Sequence, residues 1–445
     1  MLFLASQTDQ DLLKFFSFNS LMSEVNSKII LRNNIMGNTL RAAAMLVLLG
    51  PSALAAETLF SISDMVYQGA TRIPIGTYGA SRMGFTEGTF EISKDQSSVF
   101  MVGHAQHQAI AEFTIPEFSK ADSVESLPRA INKQPFKLFL DQIPTGNPDN
   151  INRITGLKLV QGKLIANGVQ YYDGDANNTD TTFVIEDPDR LESSPVTGFL
   201  KLQARAHASG WMTPLPARFH DIFGGNYIFG YASNYAINAR NSMGPSAFSV
   251  NIDDILSASS GTTLTTHPII DYSINNPLAL DLYNKTGEND LWTEVSKAYI
   301  GLVVPGTETY AVFGVSGGHK SGIGYKITQD NGYQCGGPCP YESSDVYNYY
   351  WLFNLNDMSD VARGMKEQYE VKPYEYGEIN FPFENQGGKP KLIIGASYNS
   401  SANNVYFLLG GADTLQNQYE SAPLLLAYSI ETLAVPAPPS HLTVD

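Results

Sequence analysis

One hairpin pattern recurs five times along the chain and constrains its fold more than any other feature. Each copy has an apolar or aromatic strand, a polar loop, and a second strand that often ends at an acidic residue or a proline. The copies cover residues 97–117, 162–189, 224–254, 308–357 and 403–431. A chain that repeats one antiparallel unit needs a fold in which equivalent units pack side by side.

The rest of the sequence favours strands. Short runs of β-branched and aromatic residues alternate with Gly, Asn and Asp clusters, and no long segment after residue 56 keeps a helical period. We predict an all-β fold, a β-propeller of five to seven blades that forms a single domain over residues 57–431. The copies start roughly 60–95 residues apart, more than the ~40–50 of a usual blade, so some blades carry insertions or lack the hairpin. Two β-sandwiches and a right-handed β-helix are the competing architectures.

Three segments between or beyond the hairpins have expected roles. The strand-like segment 60–66 is expected to complete the last blade and close the ring. Residues 290–300 favour a helix and are expected to form an insertion between strands. The proline-rich residues 432–445 are expected to form a C-terminal linker or tail.

Residues 36–55 have the pattern of a secretory signal peptide. Arg41 provides the basic region, Ala42–Leu49 the apolar region, and Ala53–Ala55 the small-residue cleavage site. We therefore expect a secreted or periplasmic protein without a membrane-spanning segment. We expect Met36 to be the true start, with residues 1–35 a misassigned upstream extension; an authentic amphipathic extension is the alternative.

The two cysteines of the chain, Cys335 and Cys339, lie close together in a Gly-Pro loop. In an exported protein such a pair is most often a disulfide, and we expect it to shape a surface loop. A metal site would need more ligands than the nearest histidine, His319, can supply, and free thiols are the remaining alternative.

The charge of the chain limits its partners. There are 28 basic and 44 acidic residues, a net charge of -16, and no basic run. Nucleic-acid binding needs clustered Lys and Arg against the phosphates, so we expect no nucleic-acid partner. We expect a monomer whose partner is a carbohydrate or a small polar ligand.

Equivalent hairpin loops of a propeller lie on one face and surround the axis, where ligands usually bind. These loops therefore hold our candidate site residues. They are His104 and His107 in the first copy, Tyr171, Tyr172, Asp173 and Asp175 in the second, Tyr231, Tyr235 and Arg240 in the third, His319, Lys320 and Tyr325 in the fourth, and Asp413 in the fifth.

A polysaccharide lyase needs a base, an acid for the leaving oxygen, and a cation beside the substrate carboxylate. We assign the catalytic roles to His104, Tyr172, Arg240 and His319. The expected ligand-binding residues are His107, Asp173, Tyr231, Lys320 and Tyr325. One alternative is a non-catalytic binding or adhesion propeller. Another is a propeller glycoside hydrolase, which needs two carboxylates, with Asp173, Asp271, Asp345 and Glu112 as candidates.

No metal ligand is assigned, although calcium is considered as a cofactor at one loop. Asp173, Asp175, Asn177 and Asp180 provide closely spaced oxygen ligands of the kind that calcium prefers. An ordinary turn rich in Asp, Asn and Gly explains the same residues without an ion.

Three segments carry a resemblance to known proteins. Residues Phe100–His104, Ile110–Pro116 and Ser242–Phe248 are similar to a group of exported bacterial β-propeller proteins. The resemblance spans most of residues 57–431 and implies a propeller fold and export, but no reaction. Propeller-type ulvan lyases are similar in size and use His, Tyr and Arg, although no motif of theirs matches residue by residue; that likeness is an analogy.

Overall fold

Five sheets, each built on four antiparallel strands, surround one axis, and two of them have a fifth short strand at one edge. The computed structural model describes residues 58–233, 243–385, 390–417, 419–420 and 422–431. The first strand of each sheet contacts the first strand of the next, and this cycle closes from the fifth sheet back to the first. The fold is therefore a five-bladed β-propeller, and the predicted fold class is confirmed.

The first two blades follow a short N-terminal region. That region contains β1 (Met65–Arg72) and the hairpin of β2 (Thr77–Tyr78) and β3 (Ser81–Arg82). Blade 1 consists of β4 (Phe90–Ile92), β5 (Ser98–Val102), β6 (Ile110–Thr114) and β7 (Ile131–Lys137). Blade 2 consists of β8 (Arg153–Val160), β9 (Lys163–Val169), β10 (Thr182–Ile185) and β11 (Val196–Leu202).

The segment that forms blade 3 also contains two short strands that pair with the neighbouring blades. The next strands are β12 (Met212–Pro214), β13 (Tyr227–Phe229), β14 (Ala232–Ser233), β15 (Ala247–Val250), β16 (Thr263–Leu264) and β17 (His267–Ile270). Blade 3 is β12, β13, β15 and β17, while β14 pairs with blade 4 and β16 with blade 2. Blade 4 has β18 (Lys297–Val303) and β19 (Thr309–Gly317), then the inserted hairpin β20 (Ile323–Tyr325) and β21 (Pro338–Pro340), then β22 (Val346–Asn354) and β23 (Pro373–Glu378).

The ring is closed by the N-terminal strand. Blade 5 consists of β24 (Ile393–Asn399), β25 (Asn404–Asp413) and β26 (Ala422–Ile430), with β1 as its fourth strand. β1 pairs antiparallel with β26, from Met65 opposite Ile430 to Arg72 opposite Leu424. The predicted closure is confirmed, but the strand begins at Met65, after a 3₁₀ turn over Ile62–Asp64. Closure removes the open edge that a free fourth strand position would leave.

The five repeated hairpins correspond to the middle of each blade. They coincide with β5 and β6, β9 and β10, β13 and β15, β19 and β22, and β25 and β26. The repeat is therefore the second and third strand of every blade.

The hydrophobic cores lie between adjacent blades, as β26 illustrates. Leu424 and Leu426 are fully buried in one apolar cluster with blade 4, and Leu425 and Ala427 are buried in a second cluster with blade 1. Successive strand residues point to opposite faces, so a strand covered on both faces needs a continuous apolar run. Burial of each leucine side chain contributes about 1.5–3 kcal/mol.

Helices are short and lie in connecting loops. The described α-helices are α1 (His220–Phe223), α2 (Ile252–Ser257) and α3 (Leu355–Ala362). Short 3₁₀ helices cover Val124–Ser126, Leu140–Gln142, Pro188–Ser193, Arg205–Ala208, Ala217–Phe219 and Gln368–Glu370.

The helix expected over residues 290–300 is wrong. Trp292 is fully buried with its ring centroid 4.8 Å from that of Trp351, and Lys297 begins the first strand of blade 4. Packing in the interblade core outweighs the weak helix propensity of this segment.

Several predicted features lie outside the described residues. They are the upstream extension 1–35, the signal peptide 36–55, the C-terminal tail 432–445, and residues 234–242, which include Tyr235 and Arg240. Among the described residues, no helix is both long and apolar enough to cross a membrane.

Candidate functional site

A cavity of about 300 Å³ lies on the propeller axis. Its wall is built from the first strands of all five blades, from loops that lead into them, and from the loops after the second strands of blades 2 and 3. Its polar and aromatic lining residues are Glu87, Thr89, Phe90, Glu91, Arg153, Thr155, Lys158, Tyr171, Trp211, Tyr231, Lys297, Tyr299, Ser397 and Tyr398. A volume of this size is at the lower end for small-molecule sites.

The cavity has two ends. Because every blade has the same strand order, all five first strands run in the same direction along the axis. We call the end where they begin the mouth and the end toward which they run the floor. The loops between the second and third strands lie on the mouth side, as predicted for the hairpin loops.

Lys297 begins β18 at the mouth, and its side chain is half-buried. Its Nζ lies 4.9 Å from the centroid of the Tyr299 ring. Within the described residues it has no ion pair and no hydrogen bond from its ammonium. Burial lowers the pKa of Lys297, but Tyr299, Tyr231 and Glu87 together shift it upward. Lys297 is therefore charged at neutral pH without a carboxylate in contact.

Arg153 is the second cation at the mouth and has a partner. Its Nε lies 3.0 Å from Glu87 Oε2, and its guanidinium lies 4.9 Å from the centroid of the Tyr171 ring. Gln108 donates to the same Glu87 carboxylate at 3.3 Å. Glu87 thus neutralises Arg153, whereas Lys297 has no equivalent carboxylate among the residues that the structure describes.

The floor is closed by a buried ion pair. Lys158 Nζ lies 2.7 Å from Glu91 Oε1, and the two side chains are 9% and 5% exposed. Ser397 donates to Glu91 Oε2 at 2.8 Å, and Lys158 donates to the Tyr398 carbonyl at 3.0 Å. Burial raises the pKa of Glu91, and the Lys158 ammonium offsets part of that rise. The pair ties together the first strands of blades 1, 2 and 5.

Most of the predicted site residues do not line this cavity. Among the described candidates, only Tyr231, an expected ligand-binding residue, and Tyr171 from the second hairpin line it. Arg240 lies outside the described residues. The lining does not include His104, His107, Tyr172, Asp173, His319, Lys320 or Tyr325.

His104 and His107 hold their own loop together. Their ring centroids are 4.8 Å apart. His104 Nδ1 accepts a hydrogen bond from the Gln106 backbone N–H at 3.1 Å, and His107 Nδ1 lies 3.1 Å from Ser81 Oγ. Burial, followed by the neighbouring His107 and Arg82, lowers the pKa of His104.

His319 and Lys320 form a turn organised by Asp345. The Asp345 carboxylate accepts hydrogen bonds from the backbone N–H groups of His319 and Lys320 at 3.2 and 3.1 Å. His319 Nε2 lies 2.7 Å from Ser316 Oγ, and its ring stacks on Tyr347 at 5.0 Å. Burial lowers the pKa of His319. The sequence assigned catalysis to His319, but its ring is occupied by these contacts.

The loop considered for calcium is organised by hydrogen bonds. The buried Asp173 carboxylate accepts the backbone N–H groups of Asn177 and Asn178 at 3.1 and 3.3 Å. Tyr172 is 59% exposed and lies edge-on to Tyr171, with the centroids 5.0 Å apart. In the described part of the chain no three His, Cys, Asp or Glu side chains are grouped to hold a metal ion.

The carboxylates considered for glycoside hydrolysis are dispersed. Asp271 pairs with His207 Nδ1 at 2.7 Å. The buried Glu112 binds Ser98 and Lys133 at 2.6 and 2.8 Å. The axial cavity is lined by none of the four candidates Glu112, Asp173, Asp271 and Asp345. The structure therefore brings no pair of them together there.

Sequence reasoning missed the first strand of every blade. Glu91, Lys158 and Lys297 lie within or at the start of strands that precede the hairpins, whereas the residues predicted for the site lie in the hairpin loops. A charged residue inside an otherwise apolar strand was the available signal, because such a residue is rarely buried without a partner or a function.

The predicted disulfide is confirmed. Cys335 and Cys339 are bonded, with their Cα atoms 6.4 Å apart. Cys339 lies on β21, which pairs with β20, so the bridge belongs to the hairpin inserted in blade 4.

Comparisons with known proteins give structural likeness only. No protein-family model matches the chain, and no curated protein matches its sequence. One similar solved structure is a Bacillus subtilis arabinanase, with 9% identity and a TM-score of 0.38 over 81% of this chain and 96% of that one. A phage phi92 endosialidase has 10% identity and a TM-score of 0.32, over 85% of this chain and 53% of that one. The Kuenenia stuttgartiensis hydrazine synthase has 9% identity and a TM-score of 0.28, over 72% of this chain and 64% of that one. This chain therefore spans less than two thirds of the endosialidase and of the hydrazine synthase.

Proposed function

We propose that the axial cavity binds an acidic sugar, a uronic-acid residue, and that its carboxylate pairs with Lys297. The observation that carries the proposal is the Lys297 ammonium, which is half-buried in the cavity wall without a carboxylate in contact among the described residues. A buried cation is costly unless an anion or polar groups compensate it, and a bound carboxylate would do so.

The aromatic lining suits the rest of a sugar ring. Tyr171, Tyr231 and Tyr299 line the same cavity as Lys297. A tyrosine ring packs against the C–H face of a sugar, while its hydroxyl can bond to the sugar hydroxyls. A cation and several tyrosines in one cavity thus favour a charged carbohydrate over a hydrophobic ligand.

Ligand binding can be tested with two sugars that differ only at C6. We expect calorimetry to show that the protein binds tri-galacturonate but does not bind galactotriose, in which a hydroxymethyl group replaces each carboxylate. Lys297→Met should lower the affinity for tri-galacturonate by about tenfold to a hundredfold, the value of a hydrogen bond to a charged group. Equal affinity of wild type and Lys297→Met would contradict the proposal.

The control is Lys372→Met. Lys372 Nζ also lies over a tyrosine ring, 5.3 Å from the Tyr272 centroid, but Lys372 is not in the axial cavity. This variant removes the same charge and the same kind of ring contact, and it should bind tri-galacturonate as the wild type does.

We further propose that the protein cleaves its ligand by β-elimination. A base takes the C5 proton, the C5–H electrons form the C4–C5 double bond, and the bond from C4 to the glycosidic oxygen breaks as that oxygen takes a proton from an acid. Lys297 would stabilise the charge that develops on the carboxylate. The tyrosines of the cavity would supply base and acid, in place of His104 and His319.

The lyase proposal has a direct assay. Lyase action creates an unsaturated uronate that absorbs ultraviolet light, and the single Tyr→Phe variants at 171, 231 and 299 should identify the tyrosine that matters. Binding of tri-galacturonate without any absorbing product or new reducing ends would favour the non-catalytic adhesion propeller.

Hydrolysis has less support. The cavity carboxylates, Glu87 and Glu91, are each paired with a cation at 3.0 and 2.7 Å. A glycoside hydrolase needs one carboxylic acid that is free to protonate the leaving oxygen.

We also infer that the protein acts outside the cytoplasm, which the Cys335–Cys339 disulfide supports, because such bonds persist in oxidising compartments. Its monomeric state and its lack of a nucleic-acid partner stay predictions.

A further inference from the structure

We infer that the ligand is a polymer, and that further acidic units of the polysaccharide leave the axial cavity along a lysine–tyrosine track on blade 4. This inference rests on the function proposed above. The track consists of four pairs in which a lysine Nζ lies over a tyrosine ring: Lys297 on Tyr299, Lys320 on Tyr347, Lys285 on Tyr283, and Lys326 on Tyr325.

The four lysines differ from three lysines of blades 1 and 2 that are closely paired with carboxylates. Lys133, Lys158 and Lys163 each lie within 2.8 Å of a carboxylate oxygen. In the part of the chain that the structure describes, none of the four track lysines has an ion pair; each lies 4.9–6.0 Å from a ring centroid instead. Carboxylates lie nearby, among them Asp345 beside Tyr347 and Asp281 near Lys285, but among the described residues none is within ion-pair distance of the four ammonium groups. The four lysines are therefore available to a bound anion.

A chain of contacts connects the first pair to the second. Ser296 precedes Lys297, and its Oγ lies 2.8 Å from the Oγ of Ser316. Ser316 Oγ lies 2.7 Å from His319 Nε2, and the His319 ring stacks on Tyr347 at 5.0 Å. Lys320 follows His319, so the hydrogen bonds of the buried Ser296 and Ser316 side chains, together with a ring stack, connect the backbone at the cavity mouth to the second pair.

The outer two pairs join the same surface. Asn284 donates to the His319 carbonyl at 2.8 Å, which holds the segment of Tyr283 and Lys285 against the turn of Lys320. The Ile323 N–H donates to the Tyr283 carbonyl at 3.0 Å, which places strand β20, with Tyr325 at its end, beside the third pair.

The track is held in shape before a ligand binds. Asp345 fixes the turn of Lys320, and its carboxylate is occupied by backbone N–H groups and by the Tyr347 hydroxyl at 2.8 Å. The Cys335–Cys339 bond constrains the hairpin of β20 and β21, in which Tyr325 pairs with Pro338. Rigid sites lose less entropy when they bind a ligand.

The chemistry of each pair favours a charged sugar. Tyr325 is 59% exposed, so its ring presents an open face on which a sugar can pack. The lysine beside each ring can bind the carboxylate of that same sugar. A neutral glycan would use the rings but leave four positive charges without an anion.

The test is a length series of galacturonate oligomers of one, three and six units, measured by calorimetry. In the wild type the affinity should rise at each step. The double variant Lys320→Met with Lys326→Met should bind the hexamer about tenfold more weakly and lose its steep salt dependence, while its affinity for the shortest oligomer that binds stays unchanged.

The control and the alternative outcomes separate the two proposals. Lys297→Met should weaken every length. If the hexamer binds no more tightly than the shortest oligomer that binds, the polymer inference is wrong although the cavity proposal stands. If the double variant loses hexamer binding and Lys297→Met does not, the track is correct and the cavity assignment is wrong. Absence of binding at every length overturns both.

Discussion

The mouth and the floor of the axial cavity both contain a lysine, but the group that lies against its ammonium is different at the two ends. At the floor, Lys158 is 2.7 Å from Glu91, and both side chains are nearly inaccessible. At the mouth, Lys297 is half-buried, and among the described residues its ammonium lies over the face of Tyr299 without a carboxylate in contact. The floor pair is complete within the protein, whereas we propose that a bound ligand supplies the anion for the mouth lysine.

The largest expected effect is at the floor. Glu91→Gln leaves the Lys158 ammonium buried without its counter-ion, and we expect a loss of about 3–5 kcal/mol in the free energy of unfolding, measured by urea denaturation. Lys297→Met at the mouth should change that free energy by less than about 1 kcal/mol. The double variant Glu91→Gln with Lys158→Met should recover part of the loss. A small effect of Glu91→Gln would remove the distinction between the two ends.

The second-largest effect is expected at Glu294, in the loop before Lys297. Glu91 is paired with Lys158, whereas Glu294 has no cation in contact among the described residues. Burial alone raises the pKa of Glu294 to about 7 from 4.5, and within the described residues its carboxylate has no hydrogen bond or ion pair. A raised pKa means that the folded state favours the protonated acid, so stability falls as the pH rises from 4.5 to about 7 and is level above.

Glu294→Gln removes that loss. The variant should be more stable than the wild type by about 1–2 kcal/mol at pH 8, a figure reduced for the partial exposure of the site. Its advantage should shrink toward pH 4.5. Denaturation at a series of pH values measures the difference, and an advantage that does not vary with pH would contradict the assignment.

The smallest expected effect concerns the second cation of the mouth. Glu87→Gln removes the carboxylate that pairs with Arg153 at 3.0 Å, so Arg153 becomes available to an acidic ligand. We expect a gain of about 0.5–1 kcal/mol, a few-fold in affinity for tri-galacturonate. Glu192→Gln, which affects a surface pair with Lys137 elsewhere on blade 1, is the control. A weaker affinity in Glu87→Gln would mean that Glu87 itself contacts the sugar.

Features that depend on short segments were predicted correctly. The five hairpins are local patterns, and a strand, turn and strand can be recognised from adjacent residues. The disulfide joins residues four apart, so the loop itself brings Cys335 and Cys339 together. The hairpin loops were placed on one face because equivalent units in a ring must be oriented alike.

The cavity residues could not be found in the same way. Lys297 was expected in a helix, because the burial of Trp292 against Trp351 is visible only when the interblade core is assembled. His319 and Lys320 were grouped with the axis because their loop follows a second strand, yet Asp345 and Tyr347 hold that loop away from the cavity lining.

The sequence by itself determined the all-β class, the repeated hairpin and the disulfide, because each rests on interactions between residues close along the chain. Only the tertiary structure decided the number of blades, the exact strand that closes the ring, and which charges face the axis. Lys297 and the Glu91–Lys158 pair belong to strands of different blades, and closure of the ring brings them to one cavity. Whether a lysine there finds a carboxylate depends on contacts across blades, which no local pattern encodes.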